Sequence, residues 1–384
     1  MPMKAERITL KEIIEGFRNP DTVKALAKII QKESQKTSRI INIMEVCGGH
    51  THIIAKYGLA QLMPENIRFI HGPGCPVCIM PKERIDHAVI LAEKENVILV
   101  TLGDMMRVPG SQRSLQESRT HGADVRFVYS PLETLKIAEE NPGKKVIFFA
   151  IGFETTTPMT ASLVQEVQKK NISNIIFHIN HVTVPEPMEA VLQIEGSKID
   201  AFIGPSHVSV IAGAKIYAPV VEKYKIPVVI SGFEPVDIMQ STLMITRQFN
   251  ENRHDLEIEY TRGVTFEGNL NAQKMINEVF DTSEKFRWRG IGDIPKSSLR
   301  LKEKYDHLNA EKIYDLPYES IDDHKSCRCG DILTGKALPI ECKIFAKGCT
   351  PERPMGACMV SEEGACAAYY RYGRGLNKQD LFRK

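Results

Sequence analysis

The nine cysteines of this 384-residue chain fall into three groups, and each group has a spacing that can do chemistry. The first is Cys47 in MEVCGGHTH, residues 44–52, followed by Gly48, Gly49, His50 and His52. The segment lies after an apolar run and before the helix-like IIAKYGLAQLM. A thiolate at a helix N-terminus has a lowered pKa and serves as a nucleophile or a soft-metal ligand. The glycines allow close backbone approach to a ligand, and the imidazoles can complete a metal site or move a proton. The same residues also fit a plain Gly-Gly turn with a buried cysteine and exposed histidines.

The second group is GPGCPVC, residues 72–78, where Cys75 and Cys78 form a C-x-x-C ahead of a predicted helix in an α/β setting. Two thiols so placed can cycle between dithiol and disulfide, the first activated by the helix end. Half a zinc site and two inert cysteines are the alternatives. A zinc site needs a second ligand pair, and no other C-x-x-C occurs. The third group is Cys327, Cys329, Cys342, Cys349, Cys358 and Cys366. Four thiolates satisfy a [4Fe-4S] cluster and leave two for a disulfide or another task. Tetrahedral zinc is the rival, but the paired C-x2–4-C knuckles usual for zinc are missing. The spacing does not say which four are ligands.

Softer clusters follow other apolar runs. GFETTTP, residues 152–158, sets Glu154 and three threonines before Pro158, as a cleft wall or as a helix-capping turn. TLGDMMRVPGS places Asp104 and Arg107 after a run, and His178 and His181 flank Asn180. Lone histidines at such positions are more often structural than ligands. Neither G-x-x-x-x-G-K-[ST] nor G-x-G-x-x-G occurs, so nothing supports ATP or dinucleotide binding.

The elements that must position these residues are legible between 40 and 235. Eight apolar runs, at 41–46, 67–70, 97–102, 125–129, 145–151, 174–179, 200–203 and 227–231, alternate with helix-length stretches such as 83–95 and 158–170. Runs this apolar predict buried parallel strands in α/β units. FIHGPGCPVCI (69–79) resembles FIGPSHVSVI (202–211), and the strand spacings around them match, which suggests two similar units in tandem or a chance likeness. Tandem duplication would align Cys47 with Asn180 or His181, and Cys75 with His207. Asn19-Pro20-Asp21 predicts a helix start. Beyond 236 the rhythm fades into a polar stretch with a strand or two, an irregular connector and the cysteine-rich tail, whose order is expected to depend on a cofactor.

Composition is that of an ordinary globular protein, 42% hydrophobic and 26% charged, with a formal net charge of +2. That balance gives no reason to expect nucleic acid or an anionic membrane as partner. No segment approaches the roughly 18–20 apolar residues of a membrane span. MPMKAERITLKEIIEGF lacks the apolar centre of a signal peptide. The expected compartment is the cytoplasm, where cysteine clusters read as metal or redox sites.

CGGHTH, GPGCPVC, GFETTTP and the tail CRCGDILTG…CKIFAKGCTPERPMGACMVSEEGACAAYYRY, taken in this order, resemble the HypD family of [NiFe] hydrogenase maturation proteins over nearly the whole chain. The resemblance implies two similar parallel-sheet α/β domains in tandem plus a cysteine-rich C-terminal iron–sulfur domain. The expected boundaries are a helical arm over 1–40, α/β domains over 41–140 and 141–255, and a [4Fe-4S] domain over 256–384. It implies a complex with the small chaperone HypC, the scaffold for an Fe(CN)2(CO) unit. Cyanide would arrive from HypE working with HypF, and the unit would pass to the hydrogenase large subunit. Carried over, Cys47 would be an iron ligand beside a cysteine of HypC, with His50 close enough to support it. Cys75 and Cys78 would be a redox pair, the six late cysteines would hold the cluster through four of their number and leave two for a disulfide, and Glu154 is a further candidate for catalysis. A cluster-dependent protein disulfide reductase and a zinc-stabilised binding module are the rival functions.

Overall fold

The computed structural model describes residues 10–373; residues 1–9 of the expected N-terminal arm lie outside them. The eight predicted runs are all strands, β1 (Ile41–Glu45), β2 (Ile67–His71), β3 (Val97–Leu102), β4 (Val125–Val128), β5 (Lys145–Gly152), β6 (Ile175–His181), β7 (Ala201–Pro205) and β8 (Val228–Ser231), and a short β9 (Leu256–Ile258) follows. The predicted helices appear at Lys82–Ala92 and Thr157–Lys169. Asn19 starts the helix Pro20–Ser34, its Oδ1 accepting the N–H groups of Asp21 and Thr22.

The strands form two all-parallel sheets whose membership does not follow chain order. One sheet runs β2-β1-β7-β8-β9 and the other β4-β3-β5-β6. The expectation of tandem domains over 41–140 and 141–255 is therefore corrected. The chain begins the first sheet, leaves it to build the second from residues 97–181, and returns to finish the first. Register ties the halves together, with Ile43 of β1 opposite both Phe69 of β2 and Ala201 of β7. β9 pairs with β8, so residues 256–258 belong to the first sheet rather than to a C-terminal domain.

The two units are alike in a way that strand spacing conceals. Numbered within itself, the first sheet has order 2-1-3-4-5 and the second 2-1-3-4. β1 thus corresponds to β3, and β7 to β5. Cys47 aligns with the residues after Leu102, not with Asn180 or His181, and Cys75 aligns with the loop after β4, not with His207. Strand spacing reports only that βα units have similar length; hydrogen bonding decides which strands are neighbours.

Alternation along the strands builds three cores. Ile41, Ile43, Ile203 and Val229 face the helices Pro20–Ser34 and Pro235–Asn250. Val146, Phe148 and Phe177 face the outer helices of the second sheet. Met44, Phe202 and Ile230 of the first sheet share a central core with Leu99, Ile147 and Phe149 of the second. Cys329, Cys349, Cys358 and Cys366 join that central core, so the cysteine-rich tail buries its apolar side against the sheets. No helix among the described residues is long and apolar enough to cross a membrane.

This interleaving yields a test. A fragment of residues 1–140 contains β1 and β2 without β7, and β3 and β4 without β5, so each half-sheet exposes an apolar edge. It should show poorly dispersed amide NMR signals and no cooperative thermal transition. A sharp melt like that of the full chain would contradict the topology.

Candidate functional site

In an open parallel sheet, ligands bind beyond the strand C-termini where the strand order reverses. In the first sheet that point lies between β1 and β7. Cys47 follows β1 in extended conformation and caps the helix Gly48–Lys56. His207 follows β7 in the helix Ser206–Ala212, and Cys47 Sγ lies 3.8 Å from its Nδ1. His50, fully buried, has Nε2 within 3.2 Å of Ser231 O and 3.1 Å of Gly232 O. Carbonyls only accept, so Nε2 carries the proton and Nδ1 keeps its lone pair, buried and without a partner. Phe233 covers this group, stacked on His50 at 4.7 Å and tilted against His207 at 5.1 Å. Burial lowers His50 to about 3 and His207 to about 4, so both are neutral at pH 7.

The helix N-terminus does donate to Cys47, from the N–H groups of Gly49 and His50, but the expected low pKa is overturned. Burial pushes the thiol well up, and the carboxylates of Glu363 and Glu45 add to the shift. Without a cation the thiol keeps its proton.

The GPGCPVC loop lies directly on Cys47. Gly48 N–H donates to Gly74 O at 3.3 Å, and a Cβ on Gly74 would collide with the Cys47 backbone. Glycine is required there for close approach. Cys75 and Cys78 are not at a helix start, which corrects the expectation. Residues 75–79 form a turn, with Cys78 N–H and Ile79 N–H donating to Cys75 O, and the helix begins at Lys82. Cys78 is raised rather than activated, first by its hydrogen bond with Cys75 and then by burial. His52 sits apart, edge-on to Tyr372.

The second sheet reverses between β3 and β5. Glu154 follows β5; its Oε1 accepts Val184 N–H at 3.0 Å, while Oε2 is enclosed without a partner. Burial pushes this carboxyl up to about 8. Thr156 and Thr157 donate to Phe153 O and turn the chain into the helix Thr157–Lys169, but no side chain caps its N-terminus, so the segment is a strand-to-helix turn without the expected side-chain cap. The fully buried Tyr217 lies near enough to Glu154 and Cys47 for both charges to raise its phenol after burial has done so. Asp104 and Arg107 form a half-exposed pair at 3.6 Å, and Arg107 also donates to Val360 O.

The six late cysteines surround one small cavity. Cys329 and Cys358 are joined in a disulfide, while Cys327, Cys342, Cys349 and Cys366 are free. Cys366 is raised by burial and then by Cys349, Cys327 and Cys342, the pattern of four thiols sharing one space. His178 and His181 are structural. His181 Nε2 bonds Thr160 Oγ at 2.8 Å. His178 Nδ1 accepts from the Asn180 amide and its Nε2–H donates to His87 Nδ1 at 3.2 Å. His87 Nε2–H then meets Pro317 O at 2.8 Å, which completes a saturated chain although His87, His178 and Glu311 lie close enough to hold an ion.

His207, Phe233 and Tyr217 were not singled out as site residues from sequence. GPSHVSV echoes GPGCPVC, the one available signal for His207; nothing marks the two aromatics.

Glu154 makes a measurable contribution. Its folded-state value near 8 exceeds its unfolded value near 4.5, so its stabilising effect is complete below pH 4.5 and fades as pH rises through 8. Stability should fall by up to about 1.4 kcal/mol per pH unit between those limits on its account. Urea denaturation of Glu154→Gln should show a flatter pH dependence than wild type from pH 5 to 8. Parallel profiles would show that Glu154 is ionised in the fold.

A family model described as "HypD: Hydrogenase formation hypA family" matches residues 21–373. Hydrogenase maturation factor HypD2 of Bradyrhizobium diazoefficiens is 48% identical over 372 residues, covering 95% of this chain and 98% of the relative. Hydrogenase maturation factor HypD of Cupriavidus necator is 47% identical, and that of Escherichia coli strain K12 is 43% identical, each over 94% of this chain and 97% of the relative. With four motifs in order and matches of this extent, the chain belongs to the HypD family of hydrogenase maturation factors.

Proposed function

We propose that this protein, working in the cytoplasm in a complex with HypC, is the scaffold on which an Fe(CN)2(CO) unit is assembled before transfer to the hydrogenase large subunit. HypE, working with HypF, supplies the cyanide. The observation that carries this reading is the crevice between β1 and β7, where the Cys47 thiol, the His207 ring and an unpartnered His50 nitrogen lie under Phe233. Low-spin ferrous iron bearing cyanide and carbon monoxide suits a soft thiolate in a sheltered apolar site. Cys47 holds the iron, giving up its proton as the cation arrives. The neutral His50 ring offers a lone pair at Nδ1. Glu154, protonated at pH 7, has a carboxyl proton to offer from Oε2, which has no partner in the protein. Phe233 keeps bulk water off the crevice.

Cys327, Cys342, Cys349 and Cys366 fit a [4Fe-4S] cluster, being four free thiols on one cavity with the other two cysteines tied together. When bound, such a cluster supplies one-electron redox chemistry. Cys75 and Cys78, hydrogen-bonded as a dithiol, release two electrons and two protons on forming a disulfide, which suits a reductive step of assembly.

Protein purified anaerobically with HypC should show infrared bands of iron-bound cyanide and carbon monoxide, with about four irons and four labile sulfides per chain for the cluster. The Cys75→Ser/Cys78→Ser variant should lose the infrared bands and keep the sulfide. A variant that assembles the full unit would remove the redox role. Zinc without iron or sulfide would favour a zinc-stabilised module. The coexistence of a dithiol and a disulfide in one fold also favours a second reading, an iron–sulfur-dependent protein disulfide reductase. That activity would appear on a generic disulfide protein, with no cyanide bands.

A further inference from the structure

Glu45, the last residue of β1, is fully buried and is met by three donors. Cys47 N–H reaches its Oε2 at 3.2 Å, the Thr51 hydroxyl donates to Oε1, and His71 Nδ1 lies 2.6 Å from Oε1. Glu45 and His71 are register partners in β1 and β2, so the sheet itself fixes their spacing. With Nδ1–H turned to the carboxyl, His71 offers the lone pair of Nε2, and the Tyr369 hydroxyl lies 3.1 Å from it. The two rings meet edge-on at 5.2 Å. A carboxyl that fixes the tautomer and aim of an imidazole, which in turn fixes a hydroxyl, is an orienting device known from catalytic triads.

Tyr369 lies one turn beyond Cys366 in the helix Ala365–Tyr372. The polar chain Tyr369–His71–Glu45–Cys47 therefore connects the cysteine-rich tail to the loop that carries Cys47, across 298 residues of sequence between His71 and Tyr369. The same tail touches that loop twice more, through the Glu363 backbone against Gly48 and through Tyr372 beside His52. The first is steric, and the second joins two half-buried side chains away from Cys47. The Glu45 chain alone ends on the Cys47 backbone.

We propose that Tyr369 is a positioning residue for Cys47, transmitting the seating of the Cys366 helix to the Cys47 loop through His71 and Glu45. Without its hydroxyl, His71 Nε2 is left buried and unpaired, the ring loses the contact that holds its Nε2 edge in place, and Glu45 no longer holds Cys47 N–H as firmly. Coupling of this kind is reciprocal, so disorder in the cysteine-rich tail loosens the Cys47 loop and the converse. The proposal rests on Cys47 as the functional thiol, but its test needs no bound iron unit.

The test uses full-length protein and two readouts, the 15N shifts of His71 and the alkylation rate of Cys47 by iodoacetamide, resolved by peptide mass spectrometry. A buried thiol reacts through local opening, so a loosened loop reacts faster. Tyr369→Phe should shift the His71 nitrogens and raise Cys47 alkylation fivefold or more, whereas Tyr372→Phe should stay within twofold of wild type. His71→Gln, whose amide can both donate to Glu45 and accept from Tyr369, should hold Cys47 near the wild-type rate. His71→Leu should match Tyr369→Phe, and adding Tyr369→Phe to it should change nothing more. Equal rates for His71→Gln and His71→Leu, full additivity of the double variant, or unchanged His71 shifts in Tyr369→Phe would overturn the proposal. The histidine variants decide the matter even where Tyr369→Phe folds poorly. Loss of cyanide bands with intact coupling would count against the scaffold reading alone.

Discussion

The backbone of Gly74 rests against the backbone of Cys47, with no room for a side chain between them. The rest of the cleft hangs on that contact. It presses the C-x-x-C loop onto the β1 switch point, and Cys78 of that loop feels Cys366 of the tail. On the other side, Gly49 meets Phe233, where a Cβ would come within 2.9 Å of the ring. The glycines of CGGHTH and GPGC are therefore spacing elements. They let two loops and one aromatic ring close over a single sulfur.

Burial then sets the charge of the crevice. His50 and His207 are held neutral, the Cys47 thiol keeps its proton, and Glu154 stays protonated at pH 7. Neutral sulfur and nitrogen atoms with free lone pairs are ligands a transition metal can take, the thiol giving up its proton to the metal. Helix-end electrostatics, which act strongly at exposed termini, are outweighed here because desolvation acts on the whole thiolate charge.

Much of this was legible in the sequence. Eight strands announced themselves because buried parallel strands are apolar on both faces. β9 was legible only as a strand or two somewhere in a polar stretch, since Leu256–Ile258 is a half-buried edge strand. Strand partnership was illegible, because it depends on which apolar edges meet after the chain has folded back, so likeness of the two units was read with the wrong alignment. Cys47 and His50 stood out by type and spacing. His207 did not, because its partner lies 160 residues away. Among the late cysteines the spacing gave six equal candidates. Only the approach of Cys329 to Cys358, 29 residues apart, separates a tied pair from four free thiols.

The two switch points meet around Tyr217, and the cysteine-rich tail packs on the same central core as Tyr217, Cys75 and Cys78. If Cys47 is the protein's ligand to the iron unit, its sulfur cannot be replaced by any neighbour. The direct measurement is 57Fe Mössbauer spectroscopy of wild type and Cys47→Ala, each purified anaerobically with HypC. Wild type should show a low-spin ferrous doublet beside the cluster signal, and Cys47→Ala should retain the cluster signal alone. A low-spin ferrous doublet of equal intensity in Cys47→Ala would contradict the assignment of Cys47.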